Sequence, residues 1–193
     1  MFYLYLQKLK KTTSMKRFLS TLFCLLLVVA AFAQTSNGHM KYMGIPITGT
    51  ITQFQTKLNT KGVKYNQQLS GMLEAGTRVF NGTFAGNKVT IFVYYDIRSK
   101  IVYRVKSVIE NLSEDIAEQK YSSMRQLFMQ KYDEISYGEQ ESKEALSVYA
   151  DNGQIDMYIS KNSLAYPYEY SVHIDYLDAS NSNRNNNSKL DDI

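Results

Sequence analysis

Along the chain the spacing of apolar residues changes several times, and each change marks a different predicted element. In the first third of the chain, three apolar residues recur at the spacing of a helix turn: Ile51, Phe54 and Leu58. Thr50 precedes them and Gln53 follows Thr50 by three residues, which is the capping-box pattern of a helix N-terminus. The spacing therefore predicts a helix over residues 51–61.

After residues 63–75, where no clear period is present, the apolar spacing becomes that of β-strands. Three runs rich in Val, Ile, Phe and Tyr are separated by short polar segments: residues 78–84, 89–96 and 101–109. These runs predict three antiparallel strands joined by tight turns. Residues 91–95 are apolar at both parities, which predicts a central strand with both faces covered.

A second helix is predicted immediately after these strands. Apolar residues recur at spacings of four, three, four and four: Ala117, Tyr121, Met124, Phe128 and Tyr132. Ser113 precedes Glu114 and Asp115, so a capping residue is followed by acids in the first helical turn, where the helix dipole favours them. This is the most strongly patterned helix of the chain.

The last part of the chain predicts a second group of strands. Residues 135–137 begin a strand, and residues 138–143 are predicted to be a charged loop. Residues 146–150 and 155–160 flank Asp151-Asn152-Gly153-Gln154, whose Asn-Gly pair predicts a hairpin with a type I′ turn of positive φ.

Residues 168–177 alternate strictly between apolar and polar side chains. One parity holds Tyr168, Tyr170, Val172, Ile174 and Tyr176, and the other holds Glu169, Ser171, His173 and Asp175. This alternation predicts a sheet that is buried on one side only. Residues 179–193 are dominated by Asn and Ser, which predicts a disordered tail.

The order helix, three strands, helix, three strands predicts an α+β fold, in which helices pack on one face of an antiparallel sheet. We expect a single domain over residues 42–178. Residues 83–93 run parallel to residues 148–159, which raises the hypothesis of an internal duplication with halves 42–110 and 111–178. The alternative is that aromatic strands with Asn/Gly turns recur in any β-rich chain.

The N-terminal segment has the pattern of a secretory signal peptide. A Lys-Arg pair at residues 16–17 precedes an apolar run over residues 18–29, and a small-x-small motif follows at residues 31–33. The pattern predicts a cleavable leader over residues 1–33, then a short linker over residues 34–41. The chain is therefore expected in the periplasm or outside the cell.

Two alternatives to a cleaved leader fit the sequence less well. The apolar run is shorter than the roughly 20 residues of a transmembrane anchor, so no stable membrane anchor is expected. Cys24 lies inside the run rather than at its end, which argues against a lipoprotein. Residues 1–14 are either a mis-assigned start before Met15 or an extension of the positive region of the leader.

Removal of the leader changes the charge of the chain. The sequence has 22 Lys and Arg against 18 Asp and Glu, and the five basic residues of the leader leave 17 basic against 18 acidic residues. Such a balance gives no reason to expect a nucleic-acid partner. Cys24 is the only cysteine, so the mature chain is expected to fold without disulfides or thiolate chemistry.

The turn and helix-start segments at residues 43–50, 82–86 and 151–155 resemble those of uncharacterised exported proteins of Bacteroides-type gut bacteria. The order of elements is similar to the β-lactamase-inhibitor-protein-like fold and to the related small lipoproteins of the outer-membrane assembly machinery. That resemblance implies a fold and a protein-binding role. It transfers no functional residue, and this chain lacks the acylated cysteine of those lipoproteins.

Two residue groups are candidates for function. His173 shares a strand face with Asp175, which would describe a metal site or an acid–base pair, although polar residues on the solvent side of a strand need no functional explanation. The chain also has 16 Tyr and no Trp, and Tyr is favoured at binding surfaces. The predicted binding residues are Tyr94, Tyr103, Tyr158, Tyr166 and His173.

Three functions stay open from the sequence. The first is an exported, non-enzymatic interaction module that binds an envelope or extracellular protein, or itself, through a sheet face. The second is a small-ligand or glycan binder that uses surface Tyr residues. The third is a hydrolase with a site near His173, although the sequence carries no nucleophile elbow, metalloprotease, phosphate-loop or calcium-loop motif. No cofactor is expected.

Overall fold

A computed structural model describes residues 38–140, 143–150, 152–165 and 167–190. The predicted leader and Tyr166 lie outside these residues. The predicted fold class is confirmed: the described residues form four helices, a two-stranded ribbon and an eight-stranded antiparallel sheet, with helices packed on the sheet.

The elements follow one another along the chain as β1 (Lys41–Tyr42), β2 (Ile45–Pro46), α1 (Ile51–Thr60), β3 (Lys64–Tyr65), α2 (Gln67–Gly71), β4 (Thr77–Phe84), β5 (Asn87–Tyr95), β6 (Val102–Leu112), α3 (Glu114–Lys131), β7 (Ile135–Gln140), β8 (Lys143–Ala150), β9 (Gly153–Asn162), β10 (Glu169–Asp178) and α4 (Ala179–Leu190). β1 pairs with β2, and the large sheet has the order β3-β4-β5-β6-β10-β9-β8-β7. β5 lies inside the sheet as predicted, but the middle pair is β6 and β10. The prediction that both faces of β5 are covered is wrong, because only the side that carries Ile91 and Val93 is buried, whereas Phe92 and Tyr94 on the other side are half-buried.

The strand order is symmetric about that middle pair. Each half contains a helix and a meander of four strands, and the last strand of each meander meets the other at the centre. A duplication would produce this symmetry, and common ancestry of the two halves stays a hypothesis.

Both predicted helices form where their apolar spacing places them, but only the first has its predicted cap, since Ser113 precedes α3 without a side-chain capping hydrogen bond. Gln53 accepts a hydrogen bond from the backbone N–H of Thr50 at 3.0 Å, and the Thr50 hydroxyl accepts one from the backbone N–H of Gln53 at 3.4 Å. This reciprocal pair starts α1 as predicted. The buried residues of α3 are four of the five predicted: Ala117, Tyr121, Met124 and Phe128.

The core lies between one face of the sheet and the helices α1 and α3. Phe54 and Leu58 of α1 and Phe128 of α3 pack in one cluster with the apolar side chains on that face of the strands. At one end of this core Tyr42 is fully buried. Its ring stacks on Phe84 with the ring centroids 5.5 Å apart, and it contacts the ring of Tyr176 edge-on with the centroids 5.2 Å apart. Burial of apolar area, to which these rings contribute, is the dominant favourable term in folding.

The structure differs from the predicted linker over residues 34–41. Met40 is only 1% exposed, and its N–H donates a hydrogen bond to the Asp178 carboxylate at 2.8 Å. The same carboxylate lies 3.1 Å from Nδ1 of His39. The buried Asp178 thus holds this segment, and the packed domain includes residues that the sequence pattern assigned to the linker.

In place of the predicted disordered tail, residues 179–190 form α4. The Asp178 carboxylate also accepts a hydrogen bond from the Asn181 N–H at 2.9 Å, which caps the new helix. The Asn181 side-chain amide donates to the backbone oxygens of Ile47 and Val102 at 2.9 and 3.2 Å. This polar segment therefore packs against the domain because its side-chain amide donates hydrogen bonds to buried backbone carbonyl oxygens.

Two predicted turns differ in detail. The charged loop predicted at residues 138–143 belongs to a hairpin, in which β7 and β8 pair from Ile135 with Val148 to Gln140 with Lys143.

In the next hairpin Gly153 is the first residue of β9 and pairs with Ala150, rather than taking the positive φ of a type I′ turn. Glycine is needed there because a Cβ would collide with the Leu177 carbonyl oxygen.

Candidate functional site

The face of the sheet turned away from α1 and α3 carries a continuous set of polar and aromatic side chains. We call it the open face, and the strand registers place these residues on it: Phe92, Tyr94, Arg104, Lys106, Ser147, Tyr149, Gln154, Asp156, Tyr158, Ser171, His173 and Asp175. They alternate along each strand with the buried residues of the core, because successive side chains of a strand point to opposite faces.

An ion pair joins the two middle strands on this face. Nε of Arg104 donates to both carboxylate oxygens of Asp175, at 2.8 and 3.0 Å, and Nη2 completes a bidentate contact. Asp175 is 6% exposed, and its hydrogen bonds raise the pKa of Arg104 further above its usual value. The guanidinium also lies over the Tyr94 ring, 5.1 Å from its centroid. This row thus connects β5, β6 and β10.

A second row of contacts runs beside the first. Lys106 donates from Nζ to the Tyr158 hydroxyl at 2.9 Å. The Tyr158 ring stacks on the imidazole of His173, with centroids 4.8 Å apart and planes 4° from parallel. The ring nitrogen Nε2 of His173 then lies 2.8 Å from the Ser171 hydroxyl oxygen. The row therefore connects β6, β9 and β10.

His173 is held neutral in this position. Burial lowers the pKa of His173 to about 4, and the positive charge of Lys106 lowers it in the same direction. Its Nδ1 is buried and has no hydrogen-bond partner among the described residues. The proton is therefore best placed on Nε2, where it is donated to Ser171, because the opposite tautomer buries an unpaired N–H. In that tautomer the Ser171 hydroxyl oxygen accepts the hydrogen bond from Nε2 of His173.

The carboxylates on the open face are already engaged. Asp175 is bound by Arg104, and Asp156 accepts hydrogen bonds from Ser147 and Gln154, both at 2.6 Å. Across the residues that the structure describes, no group of three or more His, Cys, Asp or Glu side chains is placed to hold a metal ion.

A cleft of about 490 Å³ opens beside the end of the first row. Tyr94 and Tyr103 line it together with the segments around Gly76 and Ile97 and with Asn185 of α4. Burial raises the pKa of both tyrosines, so their hydroxyls stay protonated and available as hydrogen-bond donors. A cleft of this volume is within the range of small-molecule sites.

The structure brings together three of the five predicted binding residues. Tyr94, Tyr158 and His173 share the open face, and Tyr103 meets Tyr94 in the cleft. Tyr166 is outside the described residues. Sequence reasoning missed Arg104, which lies in the first row, and Lys106, which lies in the second. The sequence signal for them was two cations spaced by two residues on a strand that also contains three Val residues.

No described helix is long and apolar enough to cross a membrane. The resemblance to exported gut-bacterial proteins and to the β-lactamase-inhibitor-protein-like fold stays a prediction. Comparisons of the chain with protein-family models, with curated proteins and with solved structures found no match.

Proposed function

We propose that this chain is an exported, non-enzymatic binding module that recognises a protein partner through the open face of its sheet. The observation that supports it is the network of Tyr94, Arg104, Lys106, Tyr158 and His173. Cation–ring contacts, ring stacking and hydrogen bonds fix these side chains across four strands.

Such a surface is suited to binding because contacts within the folded chain already restrict the motion of its side chains. Immobilising a flexible side chain at an interface costs about 0.5–1.5 kcal/mol, and side chains already held in place avoid part of that cost. Tyr and Arg are also the residue types that most often dominate binding energy. Half-buried rings beside a neutralised ion pair offer a partner an amphipathic surface with few unpaired charges.

Export is part of the proposal and rests on residues 16–33, whose pattern is that of a cleavable leader. It is tested by N-terminal sequencing of the protein purified from cells that express it naturally. The expected first residue is Gln34. A mature protein that begins at Met1 or Met15 would remove the export part of the proposal.

The binding part is tested with matched substitutions. Tyr94→Ala combined with Tyr158→Ala removes two rings of the open face, and Leu127→Ala removes an exposed side chain from the outer side of α3. Chemical crosslinking in intact cells should give a complex of defined mass that the double variant loses and the control keeps. Equal retention by both variants would reject the open face as the binding surface.

A second candidate function is favoured by the cleft beside Tyr94 and Tyr103. Two tyrosine hydroxyls and a mixture of apolar and polar groups are typical of a site for a small ligand or glycan. A thermal-shift screen with glycans, lipids and short peptides discriminates the two functions. A ligand of the cleft should lose its stabilising effect in Tyr103→Ala, whereas Lys106→Met should leave that effect unchanged.

A further inference from the structure

The two edges of the large sheet are built differently. At one edge β3 has only two residues, and the chain then turns into α2. Asn66 donates its N–H to the Val79 carbonyl oxygen at 2.8 Å, and the Ser70 hydroxyl accepts the Val79 N–H at 2.8 Å. The strand behind this edge, β4, therefore has its backbone groups occupied by the chain itself. This is one way in which proteins protect sheet edges.

The opposite edge is β7, whose six residues pair regularly with β8 without a bulge. The carbonyl oxygen of Glu134 accepts the Tyr149 N–H at 3.1 Å. Because bonded pairs alternate along an antiparallel ladder, Ser136 and Gly138 also face β8, while Ile135 and Tyr137 direct their N–H and C=O groups outward. Among the described residues no strand pairs with this outer side.

The edge is also acidic. Residues 133–144 contain five Asp and Glu and a single Lys. Asp133 and Glu134 are exposed where the strand begins, and the register places Glu139 opposite Glu144. Antiparallel pairing of β7 with a second copy of itself would bring two acidic segments together, which like-charge repulsion disfavours. The charge instead favours a strand that carries basic residues.

We propose that the outer edge of β7 accepts an extended, basic segment of a partner protein as a ninth strand of the sheet. Backbone hydrogen bonds to Ile135 and Tyr137 supply affinity, and the exposed carboxylates of Asp133 and Glu134 select Lys or Arg side chains. This site is separate from the open face, so it goes beyond the proposed function and stands or falls independently.

The test uses the full mature chain and two labelled peptides of about eight residues, the length of a typical strand. In one, lysine alternates with valine, and in the other, glutamate alternates with valine. Fluorescence anisotropy should show binding of the basic peptide that weakens as salt is raised, and no binding of the acidic one. Asp133→Lys combined with Glu134→Lys should reverse this preference.

A matched pair of substitutions separates edge pairing from side-chain contact. Tyr137→Pro and Tyr137→Val both remove the ring, but only the proline removes an outward N–H. Loss of one hydrogen bond should weaken binding of the basic peptide about five- to tenfold in the proline variant relative to the valine variant. If thermal melting shows that Tyr137→Pro does not fold, a basic peptide with N-methylated alternate amides replaces it, and the same loss is expected with the unaltered protein.

Three results would overturn the proposal. The first is that the basic peptide binds the two Tyr137 variants with equal affinity, or that the N-methylated peptide binds the unaltered protein as tightly as its parent peptide does. The second is that the acidic and basic peptides bind equally well, and the third is that light scattering shows a dimer of the chain which Tyr137→Pro abolishes. The last result would mean that the edge pairs with a second copy. Tyr94→Ala combined with Tyr158→Ala should leave peptide binding unchanged, so failure here is distinguishable from failure of the open-face proposal.

Discussion

The two faces of the large sheet are made by alternate residues of the same strands, yet they differ in what holds them together. In β6, Val105 and Ser107 point into the core, while Arg104 and Lys106 lie on the open face. The first face is stabilised by burial of apolar area beneath α1 and α3. The second is ordered by an ion pair and stacked rings that stay within reach of a partner. Alternate residues of one sheet thus form the apolar core on one side and, on the other, the surface that we propose for recognition.

The largest effect should come from the core face. Phe54 is fully buried in α1, so Phe54→Ala should lower the free energy of unfolding by about 3–5 kcal/mol through lost burial and a residual cavity. Tyr158→Ala on the open face should cost less than about 1.5 kcal/mol. Urea denaturation measures both. Equal losses of unfolding free energy in the two variants would contradict the distinction between the core face and the open face.

The ion pair of the open face should make the next largest contribution. Asp175 is nearly fully buried, so Asp175→Asn should destabilise the chain by about 1.5–3 kcal/mol, because Arg104 loses hydrogen bonds to a charged acceptor. A double-mutant cycle with Arg104→Gln checks whether the two residues act together. Additive losses would mean that the pair does not order this face.

Gly153 tests the packing of β9 against β10 and against the segment that contains Met40. Gly153→Ala should cost about 1–3 kcal/mol, because the added Cβ meets the Leu177 carbonyl oxygen and lies 3.0 Å from Cβ of Met40. Gly138→Ala is the matched control, since a Cβ there meets no atom within 4 Å. Thermal unfolding should show a lowered midpoint for the first variant only.

The effect that is smallest at neutral pH concerns the proton on His173. Its pKa is lowered to about 4 in the folded chain and is about 6.5 when unfolded, so the unfolded chain binds more protons between these values. Stability should therefore be fully present above pH 6.5 and fall as the pH is lowered towards 4. NMR titration of the imidazole should give the low pKa, and Lys106→Met should raise it. A titration near the usual value would mean that His173 is not buried against Tyr158.

The parts of the fold that sequence predicts are those with local signals. The Thr50–Gln53 capping box, the apolar side of α3 and the alternation in β10 each lie within one element. The open face depends on contacts such as that between Arg104 and Asp175, which are 71 residues apart. Periodicity assigns each residue to a face, but it does not give the register that pairs them. Asp178 was missed for the same reason, because its partners come from both ends of the chain.

Site-specific photocrosslinking tests the open-face account most directly. A photoreactive amino acid replaces either Tyr149, 50% exposed on the open face, or Leu127, 51% exposed on the outer side of α3. In cells that express the chain naturally, the Tyr149 position should give one adduct of defined mass, which is lost when Tyr94→Ala and Tyr158→Ala are added. The Leu127 position should give none. Adducts of equal yield at both positions, or at Leu127 alone, would contradict the account.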